Sequence, residues 1–471
     1  MTRRHFVRTT AGAALSAAVA PRLHAYDPAR RPNVLFIAID DLNDWVGPLG
    51  GHPQVQTPHL DRLAQRGFTF THANCPAPIC TPARTAVLTG RHPANTGLYF
   101  LQPLFRDTPT LADAVTLPQH YRDHGYRTLA VGKVFHGRND PASLDEDGGI
   151  TNAYGPTPPQ KLSFPTGHPL WDWGAFPDEG TPTPDDRITD WAIRQLQREH
   201  DRPLFLGVGL FRPHVPMFAP RRWFDLYPEG KTVMPHAGPD PALQLSRYAM
   251  DLTAARVAPR HAEVTALGQW EHAVRSYLAS VSYMDDHVGR LLAALERSPH
   301  AGNTLVVFWS DHGFHLGEKH RWEKRSLWEE SCRVPLILAG PGVPHGRCSE
   351  PVGTLDLYPT LLRLCGLPPR DGLDGHDLSP LLADPASPWP HAPVTTFGPG
   401  NHSVRTRRFR FIRYADGSEE LYDHDADPHE DHNRAADPAF HAAAADLRAR
   451  LPRHDAPMVP QSAGSDSPLF P

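Results

Sequence analysis

The sequence contains little lysine and no excess of positive charge. Only five of its 47 basic residues are lysines, and the formal net charge is −5. The lysines are Lys133, Lys161, Lys231, Lys319 and Lys324. A chain with this charge lacks the basic field of a general nucleic-acid binder, so an anion must be recognised by a local cluster of groups. Because arginine and lysine are not interchangeable at a tight anion site, each remaining lysine is informative.

Long hydrophobic runs are missing after the first 25 residues. No later segment approaches the roughly 20 apolar residues of a membrane-spanning helix, so stable membrane insertion is not expected. The start of the chain carries Arg3 and Arg4, a weakly apolar stretch over 11–20 and a small-residue cleavage site at 23–25. These features are typical of a twin-arginine export signal, so we expect residues 1–25 to direct export to the periplasm or the cell exterior. The alternative is a disordered basic N-terminus.

Cysteine is scarce, and its spacing does not suit a zinc site. The five cysteines are odd in number and form no Cys-x-x-Cys pair. In an exported protein, at least one thiol must then be unpaired, modified or catalytic. Cys332, Cys348 and Cys365 are expected to be buried thiols or to include one disulfide.

Five apolar runs alternate with helical patterns. The runs begin at Asn33, Thr128, Leu204, Thr304 and Val334, and the clearest helical patterns cover 188–199, 270–297 and 354–365. This alternation predicts an α/β fold with a mostly parallel sheet and helices on both faces. The ligand site of such a sheet lies beyond the carboxyl ends of its strands.

The pattern of alternating apolar runs and helical segments ends near a proline-rich stretch at 384–390. We predict a catalytic domain over 26–389, followed by a C-terminal subdomain and tail over 390–471. The subdomain is predicted to hold a small antiparallel sheet, with a basic strand over 404–414 and a hairpin turn at Asp416-Gly417. A helix over 440–451 and a loose tail to Pro471 follow.

Polar residues stand where four of the predicted strands end. They are Asp40, Asp41, Lys133, His136, His214, Asp311 and His312. Three acids at the ends of two buried strands, Asp40, Asp41 and Asp311, predict a hard-oxygen site for Ca²⁺ or Mg²⁺. The alternative is that Asp40 caps a helix and the other two are solvated.

The segment Cys80-Thr-Pro-Ala-Arg84 stands before a predicted helix that ends in Leu88-Thr-Gly-Arg91. A lone cysteine is usually a small buried hydrophobe. This segment, however, resembles the maturation motif of the sulfatase family, Cys-x-Pro-x-Arg, with Ala83 where serine is commoner. Further strings extend the resemblance over most of the chain, closest to the iduronate-2-sulfatase-like branch. They are NVLFIAIDDLNDWVG, GKVFHG, LFRPHVP, SDHGFHLGEKHRWEK and ELYDHDADPHEDHN.

The resemblance implies an alkaline-phosphatase-like fold and a set of site residues. It implies that Cys80 is converted to formylglycine by a separate formylglycine-generating enzyme. The implied calcium ligands are Asp40, Asp41, Asp311, His312 and the modified Cys80. Lys133 and Lys324 would hold the sulfate, His136 and His214 would be active-site histidines, and Arg84 would support the nucleophile. His312 is the least expected ligand, because calcium prefers oxygen and many sulfatases carry asparagine there.

The resemblance also implies a reaction. One hydroxyl of the hydrated aldehyde attacks sulfur, His214 protonates the leaving alcohol, and His136 takes a proton from the second hydroxyl so that sulfate is expelled. The expected substrate is a sulfated saccharide, with a 2-O-sulfated uronate such as iduronate 2-sulfate favoured. The alternatives are a phosphonate or phosphodiester hydrolase of the same superfamily and a non-catalytic glycan-binding homologue.

Three other features of the sequence each allow two interpretations. The basic run from Arg405 to Arg410 is an exposed strand or lines a polyanion groove. His315, Lys319 and His320 are neighbours of the metal site or contact the substrate. Trp171 and Trp173 pack in the core or stack on a sugar ring.

Overall fold

The computed structural model describes residues 31–151, 153–165 and 169–470. The predicted export signal lies outside this part of the chain. The strands are β1 Asn33–Ile39, β2 Phe68–Asn74, β3 Arg127–Gly132, β4 Glu146–Asp147, β5 Trp173–Ala175, β6 Leu204–Leu210, β7 Met217–Ala219, β8 Thr304–Ser310, β9 His315–Leu316, β10 Trp322–Glu323, β11 Arg333–Ala339, β12 Gly346–Cys348, β13 Val352–Gly353, β14 Val394–Thr396, β15 His402–Arg405, β16 Phe409–Arg413 and β17 Glu419–Asp423. The helices are α1 Pro58–Arg66, α2 Cys80–Thr89, α3 Pro93–Thr96, α4 Leu117–Asp123, α5 Pro184–Leu196, α6 Arg221–Phe224, α7 Arg247–Leu252, α8 His261–Ala266, α9 Trp270–Glu296, α10 Glu329–Cys332, α11 Leu357–Leu364, α12 Ser379–Ala383 and α13 His441–Arg450.

The central sheet has nine strands in the order β12-β2-β11-β8-β1-β6-β3-β4, with β13 also paired to β2. Strands β8, β1, β6, β3 and β4 form a parallel block, which confirms the predicted fold class. Strand β11 runs antiparallel to both of its neighbours, whereas its sequence suggested another parallel strand. The reason is its connection to β8, which contains the β9–β10 hairpin and the four-residue helix α10 instead of a long crossover helix. Strand β2 was not among the predicted strands.

The strands of the parallel block are buried on both faces. Leu35, Ile37 and Ile39 of β1 face a cluster built with helices α9 and α5. Val34 and Phe36 face the opposite cluster, built with α2 and α11. Because side chains alternate along a strand, an unbroken apolar run can fill both clusters.

The C-terminal sheet is an antiparallel meander of β14, β15, β16 and β17. The predicted single strand over 404–414 is wrong, because the chain turns at 406–408 and forms both β15 and β16. Helix α13 packs on one face, against Phe411 and Leu421. The other face packs on Trp328 and Tyr99 of the larger part of the molecule. The domain boundary at 389/390 remains a prediction.

The segment after α13 is not a loose tail. Ala463 pairs with Gln102 in an antiparallel bridge, and the Phe470 ring lies 5.1 Å from the Phe100 ring. Ser465 and Ser467 are buried. The apolar contacts of Phe470 and the bridge tie this segment to the loop that holds Phe100 and Gln102, so the prediction of a loose end was wrong.

None of the helices in the described part of the chain is both long and apolar enough to cross a membrane. All five cysteines are buried and unpaired. Cys332, Cys348 and Cys365 are therefore buried thiols, the first of the two possibilities left open by the sequence.

Candidate active site

The carboxyl ends of the parallel strands bring the predicted site residues to one edge of the sheet. Asp40 and Asp41 follow β1, Asp311 and His312 follow β8, and Lys133 follows β3. The loops after β6 and β2 add His214 and Cys80 at the same edge, and Lys324 comes from the segment after β10. The structure thus gathers the ten predicted residues around one point, because all of these strand ends face the same way.

Cys80 is the first residue of helix α2, and every residue of this helix is buried. Pro82 stands in the first turn, where its missing N–H would have had no helical partner. Burial raises the pKa of the Cys80 thiol to about 12, although Lys133 and Lys324 act in the opposite direction. An unmodified thiol at this position is therefore protonated at neutral pH and is a weak nucleophile.

Arg84 stands one turn after Cys80 and joins the two acidic strand ends. Its Nε donates to Oδ2 of Asp311 at 2.8 Å, and its Nη2 donates to the carbonyl of Ile39 at 3.2 Å. The same Nη2 lies 3.4 Å from Oδ1 of Asp40. The guanidinium is fully buried one turn below Cys80, where it holds both carboxylates in place.

Four side chains form a compact cluster of possible metal ligands. Asp40, Cys80, Asp311 and His312 each offer one ligand atom, and these atoms all lie within 4.8 Å of one another. Nδ1 of His312 lies 3.0 Å from the carbonyl of Gly313 and can donate to it, and Nε2 of the same ring lies 3.2 Å from Cys80 Sγ. Two carboxylates and an imidazole fit a divalent cation, and an oxygen in place of the Cys80 sulfur would suit a hard ion better.

Asp41 lies beside this cluster and points to other partners. Its backbone is left-handed, with a φ of 60°, so that adjacent acids direct their carboxylates differently. Its N–H donates to Asp311 at 3.2 Å, and its carbonyl accepts from the hydroxyl of Tyr277 at 2.7 Å. Its carboxylate lies 3.5 Å from Nε2 of His312 and 3.7 Å from Nε2 of His214.

Each of the two lysines pairs with one of the adjacent acids. Nζ of Lys133 lies 2.6 Å from Oδ2 of Asp40, and Nζ of Lys324 lies 2.8 and 2.9 Å from the two oxygens of Asp41. Burial lowers the pKa of each lysine, but the paired carboxylate together with the other acidic groups around it raises the pKa of both above the usual value. Both ammonium groups are therefore fixed positive charges beside Cys80.

The two candidate histidines have pKa values below the usual range. Burial lowers the pKa of His136 to about 3, and the Lys133 charge adds to the effect. Burial also lowers the pKa of His214, with help from Lys324. His214 donates from Nδ1 to the carbonyl of Val215 at 2.6 Å, which leaves Nε2 free to face the cluster. Nδ1 of His136 is buried and has no hydrogen-bond partner among the described residues.

A cavity of 260 Å³ opens over Cys80. Besides the predicted residues, it is lined by several residues that were not predicted to belong to the site, among them Leu101, Tyr154, Glu323, Arg325 and Asp466. Tyr154 places its ring 5.9 Å from Nζ of Lys133. Arg325 could have been suspected from its place next to Lys324, but nothing in the sequence linked Asp466 to this cavity.

The remaining candidates from the sequence lie either in the wall of this cavity or in the protein core. Trp171 lines the cavity, whereas Trp173 is buried and stacks on Trp322 at 6.1 Å. His315 binds Ser326 at 2.8 Å, and Lys319 binds the carbonyl of Glu430, both away from the cavity.

The basic run is divided: Arg407 and Arg408 are exposed at the turn between β15 and β16 and pair with Glu350 and Asp423. Arg405 and Arg410 are buried and pair with Glu329, so they form neither an exposed strand nor a groove.

Two buried lysines, a cysteine at a helix N-terminus and a cluster of carboxylates meet at one edge of the sheet, an arrangement that fits an ester hydrolase for anionic substrates. The comparisons with known proteins agree. The family model described as Sulfatase matches residues 32–367, and the model described as N-sulphoglucosamine sulphohydrolase, C-terminal, matches 317–456. The chain belongs to the sulfatase family and is a sulfuric ester hydrolase.

Individual relatives cover most of the chain. A sulfatase of Formosa agariphila is 37% identical over 93% of this chain and 90% of its own length. The human iduronate 2-sulfatase is 31% identical over 72% of this chain and 70% of its own. Among solved structures, the phosphonate monoester hydrolase of Silicibacter pomeroyi has a TM-score of 0.73 at 25% identity, over 89% of this chain and 94% of that one.

Proposed function

We propose that this protein hydrolyses the sulfate ester of a sulfated sugar, with a formylglycine made from Cys80 as its nucleophile. The observation that carries the proposal is the position of Cys80. It lies at the start of a buried helix, 3.2 Å from His312 and within 4.8 Å of ligand atoms of Asp40 and Asp311. A formylglycine-generating enzyme is the partner that this modification requires during maturation.

The ligand cluster is proposed to hold a calcium ion. Asp40, Asp41, Asp311 and His312 would bind it together with the modified Cys80. When bound, the ion would lower the pKa of a hydroxyl on the hydrated formylglycine and neutralise charge on the sulfate. The paired lysines and Arg84 keep the cluster of carboxylates close together.

The fixed charges beside Cys80 would orient the substrate. Lys133 and Lys324 line the cavity together with Cys80 and act on its charge, so we expect both to donate to the equatorial oxygens of a sulfate. Each lysine is paired with a carboxylate in the structure, and the singly charged sulfate group of a bound ester would share the same ammonium donors.

The two histidines would transfer protons in different steps, one to the leaving alcohol and the other from the second hydroxyl of the nucleophile. Nε2 of His214 faces the cavity, and the negative charge of a bound sulfate ester raises its pKa, which suits proton donation to the leaving alcohol. His136 is neutral, and its buried Nδ1 has no partner in the described chain, which suits a base for the second hydroxyl.

Within the sulfated sugars, we favour a 2-O-sulfated uronate such as iduronate 2-sulfate. The support is the similarity to the human iduronate 2-sulfatase, which extends over 72% of this chain. The alternative is a phosphonate or phosphodiester hydrolase, favoured by the likeness to the phosphonate monoester hydrolase structure. A non-catalytic glycan-binding role has no support, because all the candidate catalytic residues are present. Export through the signal over 1–25 is part of the proposal.

The first test is the mass of the proteolytic peptide that contains Cys80, from protein purified from its native host. We expect a formylglycine mass, lower than that of cysteine, while peptides with Cys348 and Cys365 retain their thiols. Cys80→Ala should abolish turnover of 4-nitrophenyl sulfate, and Cys365→Ala should retain it. An intact thiol in an active preparation would contradict the assigned nucleophile.

The second test compares aryl esters. The matured protein should hydrolyse 4-nitrophenyl sulfate faster than bis-4-nitrophenyl phosphate or a 4-nitrophenyl phosphonate. Faster turnover of either phosphorus ester would favour the alternative. A panel of monosulfated monosaccharides that includes iduronate 2-sulfate then tests the preferred sugar.

A further inference from the structure

A second cavity, of 790 Å³, lies beside the catalytic cavity. Three segments of the chain contribute neighbouring residues to the two cavities. Val257, Glu323 and Asp466 line the catalytic cavity, while Arg256, Trp322 and Pro468 line the second. The two cavities are therefore adjacent along three segments of the chain, so neighbouring residues of one oligosaccharide could lie in them.

The second cavity is basic in a protein whose net charge is −5. Its charged side chains are Arg247, Arg256, Arg260, Arg321 and Asp251, and His261 and His320 also line it. Asp251 is paired with Arg247 at 2.8 Å. In the described part of the chain, no carboxylate lies within ion-pairing distance of Arg256, Arg260 or Arg321. Three positive charges at the cavity wall are thus left without a counter-ion.

Of these three arginines, Arg321 gives the strongest argument for an anion site. Its Nε donates to the hydroxyl of Thr253 at 3.0 Å, and its Nη2 contacts Sδ of Met250 at 3.1 Å, so both partners are neutral. The side chain is half-buried, and burial lowers its pKa from the usual value. By contrast, the buried Arg84 and Arg410 each pair with two carboxylates. A half-buried guanidinium held only by neutral groups at a cavity wall is costly unless an anion binds there.

We propose that the second cavity binds an anionic group, a sulfate or a carboxylate, on the sugar residue next to the one whose ester is cleaved. The inference rests on the proposed function for its premise that the catalytic cavity holds a sulfated sugar. At 260 Å³, the catalytic cavity is smaller than the pockets that take a drug-sized ligand, which suits a single sugar residue. The substrate would then be an oligosaccharide with negative charge on successive residues.

The test is binding of a fluorescently labelled heparin tetrasaccharide, followed by anisotropy at low ionic strength, where charge interactions are least screened. Arg256 and Arg260 are exposed, so Arg256→Glu with Arg260→Glu should leave the fold intact. We expect this double variant to bind about tenfold more weakly or worse, since two attractions become repulsions. Arg321→Gln should weaken binding in the same direction.

A matched control reverses two exposed arginines outside both cavities, Arg194→Glu with Arg297→Glu. It makes the same change in net charge and should alter the tetrasaccharide Kd by less than about twofold. The proposal is overturned if the wild-type protein does not bind the probe or if the control pair loses as much affinity as the double variant.

Turnover of 4-nitrophenyl sulfate distinguishes a failure of the second-cavity proposal from a failure of the proposed function. This small ester fits within the catalytic cavity, so Arg256→Glu with Arg260→Glu should leave its kcat/KM unchanged. An equal loss of aryl sulfate turnover would count against a distinct second site. Failure of the proposed function would show instead as no aryl sulfate turnover by protein whose Cys80 is modified, and the binding measurement would still decide on the second cavity.

Discussion

The carboxylate of Asp466 lies 2.5 Å from Nη2 of Arg325 and so joins the C-terminal segment to the wall of the catalytic cavity. Arg325 also pairs with Glu323, and these two residues flank Lys324. Both have a positive φ, 68° for Arg325 and 77° for Glu323, a region that side chains other than glycine rarely occupy. The contacts of Arg325 therefore stabilise the backbone conformation that directs Lys324 toward Asp41.

Asp466→Ala should weaken catalysis without removing a residue that contacts the sulfate. Releasing Arg325 would let the backbone around Lys324 relax, and a displacement of about 1 Å in a reacting group can cost roughly a hundredfold in rate. We expect kcat/KM for 4-nitrophenyl sulfate to fall by about tenfold to a hundredfold. Asp446→Ala, on the exposed face of α13, is the matched control and should behave as wild type. Unchanged kinetics in Asp466→Ala would show that the C-terminal segment does not position Lys324.

Lys133→Ala should reduce kcat far more than it affects the fold. Loss of one preorganised donor to a developing oxyanion typically costs about 10²–10³ in kcat. Arg84 would remain beside Asp40, so that this buried carboxylate is not left without a cation. Lys231→Ala, at an exposed lysine, is the control. A kcat within about twofold of wild type would rule out the proposed contact between Lys133 and the sulfate.

Chelation with EGTA should lower both activity and thermal stability, and added Ca²⁺ should restore them. An ion that binds only the folded chain stabilises it by about 2.7 kcal/mol when its concentration is 100 times its Kd. Asp311→Asn should abolish the Ca²⁺-dependent shift in Tm, because it removes one of the clustered carboxylates. Asp437→Asn, at an intermediate-exposure position remote from the cluster, should keep the shift. A wild-type Tm that is insensitive to both EGTA and Ca²⁺ would contradict the metal site.

Arg410→Met should strongly destabilise the protein. Its guanidinium is fully buried, pairs with Glu329 and lies 2.7 Å from Oε1 of Glu430. Breaking a buried pair by removing one partner typically costs about 3–5 kcal/mol, because the remaining charge is uncompensated. Arg413→Met in the same strand removes an exposed arginine and should change the free energy of unfolding by less than about 0.5 kcal/mol. Urea denaturation of the two variants measures the difference, and equal midpoints would show that the network does not stabilise the C-terminal sheet.

The features that could be read from the sequence are local in origin. The strand at Asn33–Ile39 was predictable because its unbroken apolar run fits burial on both faces, and the acids that follow it were predictable as a strand end. The Cys80 to Arg84 spacing belongs to one helical turn, so the motif could be recognised without knowledge of its surroundings. Since parallel strands end at one edge, the convergence of Asp40 and Asp311 also followed from the pattern.

Only the tertiary structure decided which groups meet across long stretches of chain. It paired Lys133 with Asp40 and Lys324 with Asp41, buried Arg410 against Glu430, and placed Asp466 on Arg325. Residue periodicity reports whether a side chain is buried in its own element, but it does not report which distant charge neutralises it. A basic strand and a polar C-terminal segment therefore look solvent-exposed in the sequence. Packing against the rest of the chain makes the strand part of a buried ion network and places the segment in the wall of the cavity over Cys80.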